Sequence, residues 1–342
     1  MKTSLIERRA FRGARFFALA AGITLATAVV LAGVMTGPAW AATVIRMGHV
    51  GFPGSLFAVE NDEYAKRVNE ALKGRYEMKV FHSSQLGSDE EMLKGIKIGV
   101  LEMFQPSTIM STVDQKFGVF EMPYLFKDRD HVKRVSADPK IQEILFNPLS
   151  EKGLRLLGMW ENGFRVITNN VRPVFKPEDM KGIKLRVPSG VWRVKMFRAY
   201  GANPTPLAYS EVFAALQSGV MDGQENPFAQ IYGGKFYEVQ KYLSLSDHVY
   251  TPSYAVISER FWKALPPDVQ QVLAKTAVDI GDFGRQEGAR MDKEILEKMQ
   301  KTMKVNEVDK ESFVKASKPV YEDFAKEIKG GKELLNRILE LR

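Results

Sequence analysis

The chain has 342 residues with 45% hydrophobic content, enough to bury the cores of two ordinary domains. Its net charge is +8, but Lys2, Arg8, Arg9, Arg12 and Arg15 against Glu7 place +4 of that in the first turns of sequence, and the remainder is spread too thinly, with no basic block interleaved with aromatics, to indicate nucleic-acid binding. Cysteine is absent, which excludes disulfides, thiolate catalysis, thiolate metal sites and a lipid-modified amino-terminal cysteine.

The amino terminus reads as an export signal: a basic start, an Ala-rich apolar run from Phe16 to Val34, then Gly37-Pro38 ahead of Ala39-Trp40-Ala41, with cleavage expected after Ala41. The run is also long enough to serve as an uncleaved anchor, and Arg8-Arg9-Ala10-Phe11 is similar to a twin-arginine signal, so the export route stays open. Thr43–Val50 is a short strand leading into a Gly/Pro loop, followed by a helix from about Ser55 to Leu72 with Phe57, Tyr64, Val68 and Leu72 at helical spacing. Tyr76–Phe81 alternates as a strand. Ser88-Asp89-Glu90-Glu91 has the form of a capping box and opens the next helix, so Glu90 and Glu91 read as cap and surface residues. Val100–Phe104 is a buried-strand candidate. The strand, helix, strand, helix, strand order makes the fold class α/β. Gly153–Trp160 is extended, and Gly163–Thr168 continues the pattern across Asn162-Gly163, where the chain is expected to pass from one domain to the other.

The stretch 181–227 is the most informative. Ile183, Leu185 and Val187 alternate with Lys184 and Arg186, and Pro188 ends the strand because it offers the ladder no donor. Arg186 therefore stands at the carboxyl end of a strand, where open α/β sheets bind ligands, and its planar fork suits a bidentate carboxylate. An arginine so placed can equally pair with a neighbouring acid or reach to water. An amphipathic helix, a Pro-rich loop, a second helix and a short strand ending in Asn226-Pro227 complete the stretch. Lys235–Leu245 reads as part helix and part strand, and Thr251–Ser258 as a strand returning to the first domain. Pro266-Pro267 then opens a long helix with Val269, Leu273, Ala277, Ile280, Met291, Ile295 and Met299 on one stripe, and Gly281, Gly284 and Gly288 suggest a bend. Asp309–Ile328 and Lys332–Leu341 are charged helices joined at Gly330-Gly331.

Covalent chemistry has no carrier in this text. The histidines His49, His82, His131 and His248 show no helical metal spacing, and there is no G-x-S-x-G elbow, phosphate loop or dinucleotide fingerprint.

The segments SSQLGSDEEMLKGIKIGVLEM, FEMPYLFKDRDH, NGFRVITN, GIKLRVP, GANPTPLAYSEVFAALQSGVMDGQENP and KFYEVQKYLSLSDH occur in the order and spacing of the solute-binding proteins of TRAP transporters (tripartite ATP-independent periplasmic, the DctP family). The chain resembles that family from about Val44 to about Tyr321. The resemblance implies a two-lobe periplasmic binding fold with a long helix spanning both lobes. Lobe I is expected over 42–162 with 252–290, and lobe II over 163–251 with 291–342, with the ligand cleft between them. It also implies roles for individual residues. Arg186 would clamp a substrate carboxylate, with Arg165 as a second basic contact and Asn226 as an amide on the same end. Ser189 and Tyr209 would line the pocket, and Ser107 stands where sialic-acid binders carry an acid. Trp192 and His49 are added as further contacts, each with packing as its alternative. No metal, cofactor or catalytic residue is implied. The expected partners are a small carboxylate and the small and large TRAP membrane subunits, and the expected location is the periplasm. The leading ligand class is a C4-dicarboxylate or related acid, because two arginines and no acidic pocket residue are expected. A binding protein for an ATP-driven importer and a periplasmic enzyme acting on an organic acid are the rival readings.

Overall fold

The computed structural model describes residues 42–342; the export signal and the cleavage site read at 1–41 lie outside the described residues. Strands β1 (Thr43–Gly48), β2 (Tyr76–Phe81) and β3 (Met103–Phe104) are parallel, with β1 between the other two. The helix Leu56–Ala71 crosses from β1 to β2, capped by the Ser55 hydroxyl, which accepts the Ala58 amide. The helix Asp89–Ile98 crosses from β2 to β3, and both halves of its capping box form: Ser88 Oγ accepts the Glu91 amide while Glu91 reaches back to the Ser88 amide.

Strand β4 (Leu154–Asn169) is the connection on which the architecture turns. Its first part pairs antiparallel with β9 (Tyr250–Ser258), which in turn pairs with β3. Its last five residues instead pair with β7 (Gly223–Pro227) and β8 (Tyr242–Leu245). Beyond β7 lie β5 (Lys184–Val187) and β6 (Asn203–Pro206), both parallel, while β10 (Lys304–Glu307) pairs with β8. The strand order is thus β2-β1-β3-β9-β4-β7-β5-β6, with β8 and β10 branching from β4. One long strand serves two sheet regions. The ladder between β4 and β9 skips a residue at Asn162, between Glu161 and Gly163, and Gly163 has φ +119°, a conformation that glycine adopts at little steric penalty.

The helix Pro267–Met299 runs 33 residues without a break, about 50 Å at the usual rise, and packs along β4 and the helix Leu56–Ala71. All seven apolar residues of the predicted stripe are buried. The three glycines lie on that buried side as well. A Cβ at Gly284 would stand 2.0 Å from the Glu60 carboxylate and one at Gly288 2.9 Å from Glu161 Cγ, so these glycines let the helix approach the helix Leu56–Ala71 and β4 closely. None of the helices among the described residues is long and apolar enough to cross a membrane.

Three sequence expectations are revised. The strand predicted over Val100–Phe104 shrinks to its last two residues, because Gly99 caps the preceding helix in the left-handed conformation and Val100 is left exposed in the turn. The Pro-rich loop of the central stretch includes β6, whose prolines are tolerated because β6 is the sheet's edge strand and needs no donors on its outer side. The first carboxyl-terminal helix is two, Lys310–Ala316 and Lys318–Glu327, divided at Ser317.

Candidate functional site

Residues from both sheet regions line one cavity, whose interior is about 50 Å³ and whose space with the open solvent at its mouth is about 540 Å³. The β1–β2–β3 side contributes Phe57, Asp89, Glu90 and the turn Ser107-Thr108-Ile109. The β5–β6–β7 side contributes Arg186, Pro188, Ser189, Leu207, Ala208, Tyr209, Asn226 and Gln230, while Asn162 and Arg165 come from β4.

Arg186 is 3% exposed, and its Nε and Nη2 both donate to the Leu207 carbonyl, at 2.9 and 2.6 Å. Among the described residues no carboxylate forms an ion pair with it. Burial, and then repulsion from Arg165, bring its guanidinium down from the usual 12.5 to about 10. A buried cation without a counter-ion is unfavourable by itself, and an anion entering the cavity would supply the missing charge.

Arg165 is different. Its Nε and Nη2 grip the Glu225 carboxylate at 2.5 and 3.0 Å, and Nη2 also reaches the Glu225 carbonyl and Asn226 Oδ1. Glu225 is buried and shared: its Oε2 also accepts Arg193 Nη1 at 2.7 Å and lies 3.1 Å from His248 Nε2. Arg193 then donates to buried Glu121 at 2.7 Å. Burial alone would raise the Glu225 carboxyl, but Arg165 and Arg193 outweigh it and hold the group well below the usual range. Burial keeps His248 on the neutral side. Two guanidinia and two carboxylates therefore cancel behind the cavity wall, and Arg165 faces the cavity already neutralised.

The opposite wall is acidic. Asp89 and Glu90 begin the helix Asp89–Ile98, and Ser189 Oγ donates to Glu90 Oε1 at 2.6 Å, joining the loop after β5 to that helix. Burial first, and Glu90 second, push the Asp89 carboxyl up to about 7 against the pull of Arg186. The remaining polar lining is held by the frame. Asn162 Nδ2 donates to Ser107 Oγ at 3.0 Å, Ser107 donates to the Pro252 carbonyl, and the Tyr209 hydroxyl donates to the Gln230 carbonyl at 2.6 Å. Gln230 is 3% exposed, and its Oε1 has no donor among the described residues.

Six of the eight residues singled out from the sequence, Arg186, Arg165, Asn226, Tyr209, Ser189 and Ser107, therefore meet around one cavity. Trp192 and His49 do not line it. Trp192 is 1% exposed and packs edge-on against Phe324 at 5.0 Å, so it is a core residue. His49 is fully buried with Nε2 2.9 Å from His82 Nδ1, and burial holds it near 3, so it stays neutral. Among the described residues there is no group of three or more His, Asp or Glu side chains arranged to hold a metal.

The family profile for bacterial extracellular solute-binding protein, family 7 (DctP), matches residues 47–327. This chain belongs to that family. Its similarity to the 2,3-diketo-L-gulonate-binding periplasmic protein YiaO of Escherichia coli is 32% identity over 286 residues, 81% of this chain and 87% of the relative. A TRAP periplasmic solute-binding protein from Polaromonas sp. JS666, solved bound to D-erythronate, superposes with TM-score 0.83 at 32% identity, covering 87% of this chain and 98% of that one. One from Sulfurospirillum deleyianum, solved with succinate, gives TM-score 0.83 at 33% identity, covering 88% and 100%. This family-7 chain is accordingly a two-lobe α/β binding receptor and not an enzyme, and family members are periplasmic.

Against that background, the features the sequence reading missed in this solute-binding protein are specific. Glu225 stood inside the quoted QENP text but gave no sign that it would neutralise Arg165. Asn162 was read only as part of a crossing; its place at the ladder irregularity, a device that re-aims a side chain, could have flagged it. Of the acidic pair, Glu91 is the cap residue as expected, whereas Glu90 lines the cavity with Asp89, so the expectation of no acidic pocket residue is corrected.

Proposed function

We propose that this protein is the extracytoplasmic receptor of a TRAP transporter, and that it captures a small organic acid by pairing the acid's carboxylate with Arg186. The observation that carries the reading is a buried guanidinium, lining an enclosed cavity, that has no carboxylate partner of its own among the described residues. Capture would proceed by closure of lobe I (42–162 with 252–290) on lobe II (163–251 with 291–342), bringing the Asp89–Ile98 helix against the loop after β5. Water leaving the cavity then strengthens the ion pair, because the same charges attract more strongly at lower dielectric. Asn226, Tyr209, Ser189 and Ser107 shape the pocket, and Arg165 positions Asn226 through its contact at 3.0 Å. The loaded form is delivered to the small and large membrane subunits after export of the mature chain to the periplasm. Relatives named for, or solved with, diketogulonate, erythronate and succinate support an organic acid as the class. Membership of family 7 favours an ion-gradient permease over an ATP-driven importer as the partner.

The test is a thermal-shift screen of the mature chain against organic acids and their neutral amides, with hits measured by calorimetry. A ligand that binds only the folded state raises the melting temperature by mass action. Acids should shift it and amides should not. Equal shifts from an acid and its amide would overturn the reading.

A further inference from the structure

Among the described residues the charged side chains lining the cavity are Arg186, Arg165, Asp89 and Glu90, and they do not balance as a site for two carboxylates would. Arg165 is held by Glu225, and Arg193 behind it by Glu225 and Glu121, so that cluster brings no net charge to the cavity. Arg186 is the one lining cation without a carboxylate partner among the described residues. Opposite it stand two acids contributed by the first turn of one helix. A second carboxylate on the ligand would meet no free cation and would lie in the same space as Glu90, and as Asp89, which carries its full charge only above about pH 7. Like charges so juxtaposed oppose binding by several-fold to many-fold in affinity.

The unmet hydrogen-bonding capacity of the wall points the same way. Gln230, nine-tenths buried and lining the cavity, has an Oε1 with no donor among the described residues. Glu90 uses one oxygen to accept from Ser189, and Asp89 makes no side-chain hydrogen bond of its own that would claim its acceptors. These are acceptors, on two different elements: the helix Asp89–Ile98 and the helix Phe228–Gly233. Leaving the buried Gln230 Oε1 unpaired is unfavourable, and the half-buried Asp89 and Glu90 offer further acceptors, so the fitting ligand is one that donates at more than one point away from its carboxylate.

Resting on the receptor reading above, we infer that the ligand is a hydroxylated monocarboxylate, an aldonate-like acid whose single carboxylate meets Arg186 and whose hydroxyls donate to Asp89, Glu90 and Gln230, and that this acidic wall rejects dicarboxylates.

The experiment measures dissociation constants by calorimetry for threonate and D-gluconate, for succinate and malate, for butyrate and for serine, with the parent and with Glu90→Gln and Asp89→Asn. The expected result is that at least one hydroxylated monocarboxylate binds the parent ten-fold or more tighter than both dicarboxylates, butyrate and serine. Glu90→Gln should then narrow the gap to succinate at least five-fold, since it removes the negative charge and keeps an acceptor. Asp89→Asn is the second variant, should Glu90→Gln disturb the contact with Ser189. Succinate or malate binding the parent tightest, in an Arg186-dependent way, would overturn this inference and leave the receptor reading standing. Serine binding tightest, or a dicarboxylate gap unchanged in both variants, would also overturn it. No acid binding at all would count against the receptor reading itself.

Discussion

Replacing Arg186 by methionine separates a binding arginine from a structural one, because the two roles predict opposite effects on the unliganded protein. Burial and the neighbouring Arg165 bring the guanidinium from 12.5 to about 10, which corresponds to roughly 3 kcal/mol of unfavourable energy carried by the charged form. The methionine variant sheds that burden. It loses the donation to the Leu207 carbonyl and leaves that oxygen short of donors, about 1–3 kcal/mol in the other direction. The two nearly cancel, so the unliganded melting temperature should move by no more than about 4 °C in a protein of this size. Ligand binding, by contrast, loses a buried ion pair, on the order of 3–5 kcal/mol, or roughly two to three and a half orders of magnitude in the dissociation constant. Differential scanning calorimetry without ligand and titration calorimetry with the best acid read the two quantities. A fall of the unliganded melting temperature by about 10 °C or more, together with unchanged affinity, would refute the reasoning, since that is the behaviour of an arginine whose partner is the protein.

Other consequences concern stability. Arg193→Met removes the counter-ion of Glu121 and one of the partners of Glu225 in the interior, and unfolding in urea should show a loss of about 3–5 kcal/mol. Burial already raises the Glu121 carboxyl, so the deficit should grow as the pH rises above the ordinary carboxylate range, and a pH-independent deficit would contradict the pairing. Asp89 holds its proton up to about 7 in the folded protein, chiefly because it is buried, against about 3.9 in an unfolded chain. The folded state binds that proton more tightly, so Asp89's contribution to stability is full below about pH 4 and is lost as the pH rises toward 7. Asp89→Asn should flatten the melting-temperature profile between pH 4 and 7. Gly118→Ala would set a methyl 2.2 Å from the Trp192 ring, which cannot yield without disturbing Phe324, and thermal denaturation should report about 1–3 kcal/mol of destabilisation.

Local signals carried much of the architecture. Ser88-x-x-Glu91 specified its helix start because a capping box is satisfied entirely within four residues. The apolar stripe from Val269 to Met299 specified the long helix because its period is a property of the backbone, whatever lies opposite. Arg186 could be placed at a strand end from three alternating residues and a proline. The loop predicted at Asn203–Pro206 went astray for the converse reason, since it depended on an open sheet edge beside β6. The close approach at the helix glycines likewise depended on what packs nearby, a carboxylate beside Gly284.

The sequence by itself determined an α/β chain with a guanidinium at the carboxyl end of β5 and no residues for covalent chemistry, since these follow from periodicity, turn chemistry and residue type. Only the tertiary structure decided the charge of the cavity. Arg165 meets Glu225 sixty residues away, Arg193 meets Glu121 across seventy-two, and Glu90 meets Ser189 across ninety-nine. Whether a charge is free or spent depends on a neighbour a few ångströms off in space, and distance along the chain carries no record of that.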